Sequence, residues 1–177
     1  MNYIILILFS FLLSIGDSIK FKFDPSKYSK HLKLNNVIPT NDADNILSKE
    51  HLLPYQIEEL KLKAENYIPT PVTKEDVVII ETTRGTMKLE LYNNVSPNHC
   101  YNFKKLANSG FYDGTYFHRI IKGFMIQAGD ILSRDSDVFN DGTGDPGWQV
   151  DAEFNNIKHE KGILSMARGT DINSAGS

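Results

Sequence analysis

The chain has 177 residues, a formal net charge of −3 and 41% hydrophobic residues, a composition that is typical of a globular protein and excludes general disorder. It contains no basic run, so its charges give no reason to expect a nucleic acid or an anionic membrane surface as a partner. A single cysteine, Cys100, excludes a disulfide within the chain.

An uncharged apolar segment, YIILILFSFLLSI, occupies residues 3–15. As a helix it would span about 20 Å, which is short of the ~30 Å hydrocarbon core and fits a signal peptide. Ser14 and Gly16 are small residues at the positions that a cleavage site requires, so Asp17 would begin the mature chain. We predict a signal peptide at 1–16 and a location in the secretory pathway: the ER lumen, the exterior or, for a bacterial source, the periplasm.

The alternative for this apolar segment is a short membrane anchor or a buried helix, because no basic residues precede it. After cleavage we expect no stable membrane insertion.

A formal glycosylation sequon lies further along at 94–96 (NVS), and Pro97 directly after it disfavours its use.

Residues 17–75 form an N-terminal extension that is rich in lysine and asparagine. Within it, residues 55–67 (YQIEELKLKAENY) predict one amphipathic helix that follows Pro54 and ends before a proline-rich linker at 68–71. The apolar residues at helical spacing are Ile57, Leu60 and Ala64. We find no candidate catalytic or ligand-binding residues in this extension. We expect it either to pack against the following domain or to act as a spacer between that domain and another structure.

The pattern changes to strands at residue 77. Two β-branched arms, 77–83 and 86–92, flank Arg84-Gly85 and predict a β-hairpin. The alternating residues of the second arm are Met87, Leu89 and Leu91.

A helix should follow this hairpin, with Ser96 as N-cap, Pro97 in its first turn and a stop at Gly110. Its apolar stripe consists of Cys100, Phe103, Leu106 and Ala107. This placement favours a core role for Cys100 over that of a nucleophile.

A long polar loop at 132–149 contains two motifs that suggest a ligand. GTGDPG at 142–147 matches G-x-G-x-x-G, but it includes Pro146 and strand-like residues follow it, so we predict a turn and no nucleotide site. The acidic residues of this loop also suggest an EF-hand that begins at Asp135, which would need an oxygen ligand, glycine and glutamate at its fifth, sixth and twelfth positions. Those positions hold Phe139, Asn140 and Pro146, so the loop does not match a calcium site. His118 and His159 lack metal-ligand spacing, and we predict no metal and no cofactor.

The stretch 116–130, YFHRIIKGFMIQAGD, combines short strands with polar side chains. We predict two strands that turn at Lys122-Gly123, with Phe124 at the bend. Alternation puts Arg119 with Phe117 and Ile121 on one face, opposite His118 and Ile120, and it puts Gln127 with Met125, opposite Ile126 and Ala128. Two hydrogen-bonding groups on an apolar floor favour a pocket for a small apolar group, and an edge hairpin with one solvated face is the alternative.

Two long motifs resemble the signatures of the cyclophilin-type peptidyl-prolyl cis-trans isomerases. FHRIIKGFMIQAGD at 117–130 resembles the first, and GILSMARG at 162–169, which we also predict to be a strand, resembles the second and leads into NSAGS. GFYDGTYFHR upstream also matches, so the similarity covers residues 76–177. The resemblance implies a mainly β fold, a closed antiparallel β-barrel with capping helices, after the partly helical extension.

The resemblance also implies roles for individual residues. Arg119 matches the catalytic arginine that hydrogen-bonds around the imide nitrogen, and Gln127 matches the residue that grips the substrate backbone. Phe124 and Met125 match walls of the proline pocket, with Ile121 on the same face. A further segment contacts the residue before proline, usually with asparagine in the middle; here it consists of Ala167, Arg168 and Gly169.

The implied function is isomerisation of X-Pro bonds in client proteins, which assists their folding. The implied partners are proline-containing polypeptides and cyclosporin-type ligands, and we expect a monomer. The alternatives are a non-catalytic module that binds proline-containing peptides, or an inactive truncated product.

The sequence departs from the family pattern after Ser177. Members of the family continue with a strand, a tryptophan-bearing loop and a histidine that complete the proline pocket and close the barrel. We therefore expect a fragment of a longer gene product, or a degenerate one, whose barrel lacks its last strands. For these 177 residues alone, weak folding and little isomerase activity are predicted.

Overall fold

The computed structural model describes residues 18–23 and 51–177. The predicted signal peptide at 1–16 and much of the extension lie outside the described residues. Within the described part, every helix is too short or too polar to cross a membrane.

The described residues contain mainly strands, with two α-helices. In chain order the elements are β1 (Ser18–Phe23), α1 (Pro54–Asn66), β2 (Val77–Thr82), β3 (Gly85–Glu90), α2 (Pro97–Ser109), β4 (Thr115–Tyr116), β5 (Arg119–Ile121), β6 (Met125–Gln127) and a 3₁₀ helix (Ile131–Arg134). A four-stranded sheet has the order β3-β2-β1-β4, and β5 and β6 form a separate two-stranded sheet. The mainly β class is confirmed, whereas the strands of the described part do not close into a barrel.

The predicted hairpin is formed by β2 and β3. The two strands pair antiparallel from Val77↔Glu90 to Thr82↔Gly85, and Gly85 adopts a φ of 132° at the turn. Val78 and Ile80 of β2 are buried. This hairpin therefore presents one apolar face to the core.

An inner strand of the sheet comes from the N-terminal extension, where we predicted no strand. β1 pairs antiparallel with β2, from Ile19↔Thr82 to Phe23↔Val78. It also pairs with β4 through Ser18↔Tyr116 and Ile19↔Thr115. The extension thus takes part in the sheet that precedes the β5–β6 hairpin.

The helix predictions agree with the structure. Helix α1 begins at Pro54, where the Leu53 N–H donates to Gln56 Oε1 at 2.8 Å, and it buries Ile57 and Ala64. Helix α2 starts at Pro97 and ends at Ser109, and Gly110 caps it with a φ of 81°, the left-handed conformation that glycine favours at a helix end.

The apolar stripe of α2 packs into the core as predicted. Phe103 and Leu106 belong to the buried cluster, and Ala107 packs against it. Cys100 is also buried, and burial, followed by the negative charge of Glu153, raises the pKa of its thiol to about 11. The thiol therefore stays protonated at neutral pH and is a poor nucleophile.

The strand predicted at 162–169 is wrong. These residues are irregular, and none of the described strands pairs with them. Their apolar pattern reflects packing, because Leu164, Met166 and Ala167 lie half-buried against the core. A short apolar run has the same composition whether it pairs in a sheet or packs as irregular chain.

Candidate active site

The β5–β6 hairpin carries most of the predicted site. Arg119 lies opposite Gln127, and Ile121 lies opposite Met125. Gly123 has a φ of 76° in the turn, and the Phe124 N–H donates to the Ile121 carbonyl at 3.0 Å. The predicted pair of short strands with a turn at Lys122-Gly123 is therefore confirmed.

The polar residues of this hairpin meet across the two strands. Arg119 Nη1 donates to Gln127 Oε1 at 3.4 Å, which is a long hydrogen bond. Arg119 is exposed and Gln127 is half-buried. Since an arginine has several N–H donors, this single contact leaves most of the guanidinium able to bind a ligand.

The apolar residues of the hairpin divide between surface and interior. Phe124 is 46% exposed and Ile121 37% exposed, whereas Met125 is 1% exposed. Ile126, on the other face of β6, is buried as well. In this conformation Met125 contributes to the interior, and the open apolar surface of the hairpin comes from Ile121 and Phe124.

The second predicted segment forms a hydrogen-bonded turn. Arg168 is half-buried, and its Nη1 donates to the Gly169 carbonyl at 3.1 Å. The Gly169 N–H donates to Ser174 Oγ at 2.8 Å, and that hydroxyl donates to the Asp171 carbonyl at 2.6 Å. These bonds hold the chain that follows Ala167 in a defined turn.

A cavity of about 950 Å³ joins the two segments. Phe124 from the hairpin turn and Arg168 both line it, together with apolar residues of β3 and α2 such as Leu89 and Phe103. The remaining predicted site residues are not among its lining residues: Arg119, Ile121, Met125, Gln127, Ala167 and Gly169. The structure thus places Arg119 and Gln127 together on the hairpin, and Phe124 and Arg168 together on the cavity.

His118 lies beside the candidate site, although spacing alone indicated no role for it. Burial lowers its pKa, while the carboxylates of Asp130 and Asp141 act in the opposite direction. A Cβ added to Gly142 would lie 3.5 Å from His118 Cδ2, so the polar loop packs against the imidazole ring. The positive charge of the adjacent Arg119 also lowers the pKa of His118, so the His118 imidazole is mainly neutral at pH 7.

A family comparison decides what kind of domain carries this site. The model described as "Cyclophilin type peptidyl-prolyl cis-trans isomerase/CLD" matches residues 77–177, which is more than half of the chain. The chain belongs to this family. The matched residues, which include the β2–β3 hairpin, helix α2, the β5–β6 hairpin and the turn after Ala167, are called the cyclophilin domain below.

Several relatives carry the family's name. The chain is 45% identical over 89 residues to a peptidyl-prolyl cis-trans isomerase of Synechococcus elongatus, with 50% of this chain and 57% of the relative covered. It is 44% identical over 110 residues to peptidyl-prolyl cis-trans isomerase cypE of Dictyostelium discoideum, with 58% and 64% covered. It is 40% identical over 139 residues to peptidyl-prolyl cis-trans isomerase 9 of Schizosaccharomyces pombe, with 76% and 21% covered.

The chain spans little more than half the length of the Synechococcus relative and less than two thirds of the Dictyostelium one. No solved structure matches it.

Asp130 anchors the polar loop of the cyclophilin domain, a role that our sequence analysis missed. Its buried carboxylate accepts hydrogen bonds from the Leu132 N–H at 2.8 Å and from the Gly142 N–H. A Cβ at Gly144 would collide with the same carboxylate, so this glycine permits the close approach of the loop. The glycine pattern at 142–147 is therefore a packed loop with no helix after it, as predicted.

In the described part of the chain, no group of three or more histidine, cysteine, aspartate and glutamate side chains is arranged to hold a metal ion.

Ser96 occupies the N-cap position of helix α2 as predicted, but the capping hydrogen bonds go to Glu153. Its carboxylate accepts hydrogen bonds from the backbone N–H groups of Asn98 and His99 at 3.0 and 2.9 Å, and it lies 2.8 Å from His99 Nδ1. The Ser96 hydroxyl makes no capping hydrogen bond to a backbone N–H of α2. It instead accepts a hydrogen bond from Asn155 Nδ2 at 3.1 Å. Since Glu153 lines the cavity, this cap fixes one cavity wall to α2.

We predict that Glu153→Gln lowers the free energy of unfolding by about 1–2 kcal/mol at pH 7, because a neutral amide replaces the anion at a helix N-terminus. Burial alone would raise the pKa of Glu153, but hydrogen bonds from His99 and Asn98 hold it below its usual value. This stabilisation is therefore present above the unfolded pKa of about 4.3 and is lost as the pH falls through the lower folded pKa.

Urea unfolding at a series of pH values checks this prediction. The difference in unfolding free energy between wild type and Glu153→Gln should be present at pH 7 and shrink below pH ~4. Glu160→Gln, at an exposed position, serves as the control and should leave stability unchanged. A Glu153→Gln effect of the same size at every pH would contradict the charged cap.

Proposed function

We propose that the chain catalyses cis-trans isomerisation of X-Pro peptide bonds in client proteins and so assists their folding. The observation that carries this proposal is the pairing of the exposed Arg119 with Gln127 across the β5–β6 hairpin, within the residues that match the family model. The names of the relatives support the same reaction.

The reaction needs few chemical groups. Rotation about the bond must overcome a barrier of ~18–20 kcal/mol because amide resonance is lost, and the uncatalysed process takes tens to hundreds of seconds. In the twisted state the imide nitrogen regains its lone pair, which can accept a hydrogen bond. No nucleophile or metal is required.

We assign the catalytic hydrogen bond to Arg119, because its guanidinium is always charged, rigid and exposed on the hairpin. Gln127, opposite Arg119, would hold the substrate backbone. Ile121 and Phe124 supply apolar surface for the proline ring, and Met125 supports the hairpin from the interior. Every 1.36 kcal/mol of preference for the twisted state gives about a tenfold gain in rate.

The second segment would contact the residue before proline. Arg168 lines the cavity together with Phe124 and lies between Ala167 and Gly169. The family pattern usually has an uncharged asparagine where this chain has Arg168. The guanidinium of Arg168 would favour a substrate with an acidic residue directly before proline.

We also propose a complete fold, a class of competing ligand, an oligomeric state and a cellular location for the protein. The two sheets would be parts of the family's closed antiparallel barrel with capping helices, since β3 and β4 are edge strands that can pair further. Cyclosporin-type ligands would compete with clients as a property of the family, and the protein would act as a monomer. Residues 1–16 would direct the chain into the secretory pathway as a cleaved signal peptide.

Two-dimensional exchange NMR on an X-Pro peptide tests the proposed function. The method measures exchange at equilibrium over a wide range of enzyme concentrations, so it detects slow as well as fast catalysis. We expect the full chain to accelerate cis-trans exchange and a cyclosporin-type ligand to suppress it. Peptide binding without accelerated exchange would contradict the enzyme and favour a binding module.

A further inference from the structure

Helix α1 of the extension packs against the cyclophilin domain, although it precedes the part of the chain that matches the family. The match begins at residue 77, whereas α1 spans Pro54–Asn66. Ile57 and Ala64, which lie two turns apart on one face of α1, are buried, and α1 packs against α2. The extension is therefore fixed to the cyclophilin domain at this helix.

The chain that enters α1 is hydrogen-bonded to the beginning of the polar loop at 132–149. The Leu52 N–H donates to the Arg134 carbonyl at 2.8 Å. Arg134 is the last residue of the 3₁₀ helix, and the Leu52 side chain packs half-buried against the core. The extension thus holds the polar loop near its first residues.

The other end of α1 is connected to the end of the same loop through Lys105 of α2. Lys105 Nζ donates to the Glu65 carbonyl at 2.9 Å, one of the carbonyl groups that a helix leaves without an internal partner at its C-terminus. The same ammonium lies 4.7 Å from the ring centroid of Trp148, within the range of a cation–π interaction. Trp148 Nε1 donates to Asn102 Oδ1 at 2.8 Å, which fixes the indole to α2. One lysine therefore joins the extension to the end of the polar loop.

The middle of the polar loop contacts the base of the β5–β6 hairpin at both strands. The Gly142 N–H donates to the carboxylate of Asp130, three residues after β6. The loop also packs at Gly142 against the imidazole of His118, one residue before β5. The pair at this base of the hairpin is Arg119↔Gln127. The polar loop thus holds the hairpin where the proposed catalytic pair lies.

We propose that Lys105 is a positioning residue, through which the extension fixes the polar loop and, with it, the Arg119–Gln127 pair. Its effect on catalysis rests on the proposed isomerase function, whereas the fixing of the loop does not. Lys105 acts through Trp148 and the loop rather than at the reacting bond. Loss of its ammonium would leave the fold in place and allow the loop to open locally more often.

Hydrogen exchange and exchange NMR on the full chain test this proposal with Lys105→Met and Lys105→Arg. Methionine keeps the apolar stem but removes the donor and the charge, whereas arginine keeps both and can stack on Trp148. We expect Lys105→Met to speed amide exchange at Gly142 about fivefold or more. At a series of peptide concentrations it should lower kcat about 3–10-fold with little change in KM, because Arg119 acts only on the twisted bond. Lys105→Arg should stay within about twofold of wild type in both measurements.

Lys161→Met, at an exposed position, controls for the loss of a surface lysine and should match wild type. Gly142 exchange in Lys105→Met equal to that in Lys161→Met would overturn the proposal. Faster Gly142 exchange with unchanged kcat would overturn the positioning role and leave only a structural contact. If the wild-type chain proves not to be an isomerase, the exchange at Gly142 still decides whether Lys105 holds the loop.

Ile57→Ala tests the contribution of α1 without altering Lys105 itself. Ile57 lies on the buried face of α1, so its truncation loosens the packing of the extension on the cyclophilin domain. We expect exchange at Gly142 to rise about threefold relative to the amides of the β2–β3 hairpin, a ratio that corrects for a general loss of stability. A ratio that stays at its wild-type value would show that the loop does not depend on α1, which would overturn the proposal.

Discussion

Replacing Arg119 with alanine should reduce kcat/KM for an X-Pro peptide by about 10²-fold while the fold stays intact. Loss of a donor aimed at developing charge or a lone pair in the transition state typically costs 10²–10³-fold, or about 3–4 kcal/mol. Arg119 is exposed and makes one long contact to Gln127, so stability should change by less than about 0.5 kcal/mol. Exchange NMR and urea unfolding measure the two effects.

Two further variants make the Arg119 test specific. Arg84, an exposed arginine in the β2–β3 turn, controls for loss of surface charge, and Arg84→Ala should retain full activity. Arg119→Lys keeps the charge but loses the rigid planar fork, so it should fall between wild type and alanine. Activity in Arg119→Ala equal to that of Arg84→Ala would contradict the catalytic role of Arg119.

Replacing Lys104 with alanine should lower the free energy of unfolding by about 3–5 kcal/mol, because it leaves the carboxylate of Asp76 buried without its cation. Lys104 Nζ lies 2.8 Å from Asp76 Oδ2 and also donates to the Pro71 carbonyl at 3.3 Å. Both side chains are almost fully buried. The same contacts attach the linker before β2 to helix α2, and urea unfolding measures the loss.

Lys61→Ala provides a matched control for the buried ion pair. Lys61 forms an ion pair with the exposed Glu58 within one turn of α1, at 3.2 Å, and such pairs on a helix surface contribute about 0.3–0.5 kcal/mol. Replacing both partners of the buried pair, as Lys104→Met with Asp76→Leu, should recover much of the stability. A loss in Lys104→Ala no larger than in Lys61→Ala would refute the assigned energetic role.

The parts of the fold that could be predicted from the sequence are those set by neighbouring residues. The β2–β3 hairpin, the start of α2 at Pro97 and the β5–β6 turn at Gly123 each follow from local turn and cap chemistry. β1 was missed and 162–169 was misassigned because strand formation there depends on a distant partner. That partner exists for β1 and is absent for 162–169 within the described residues.

The candidate site shows the same division. Alternation predicted that Arg119 and Gln127 share one face, and the β5–β6 register places them opposite each other. The burial of Met125 and the capping of α2 by Glu153 depend on elements that are distant in sequence. Side-chain periodicity reports the faces of one strand but not what packs against each of them.

The pairing of β1 with β4 has a consequence for biosynthesis. Ser18 and Tyr116, which face each other, are separated by about a hundred positions along the chain. A ribosome adds about 5–20 residues per second, so β1 waits roughly 5–20 s for its second partner strand to be made. Until β4 is made, one edge of β1 has no partner strand even after β2 has paired with the other. Such an open strand edge is one that other chains or chaperones can bind before the sheet is complete.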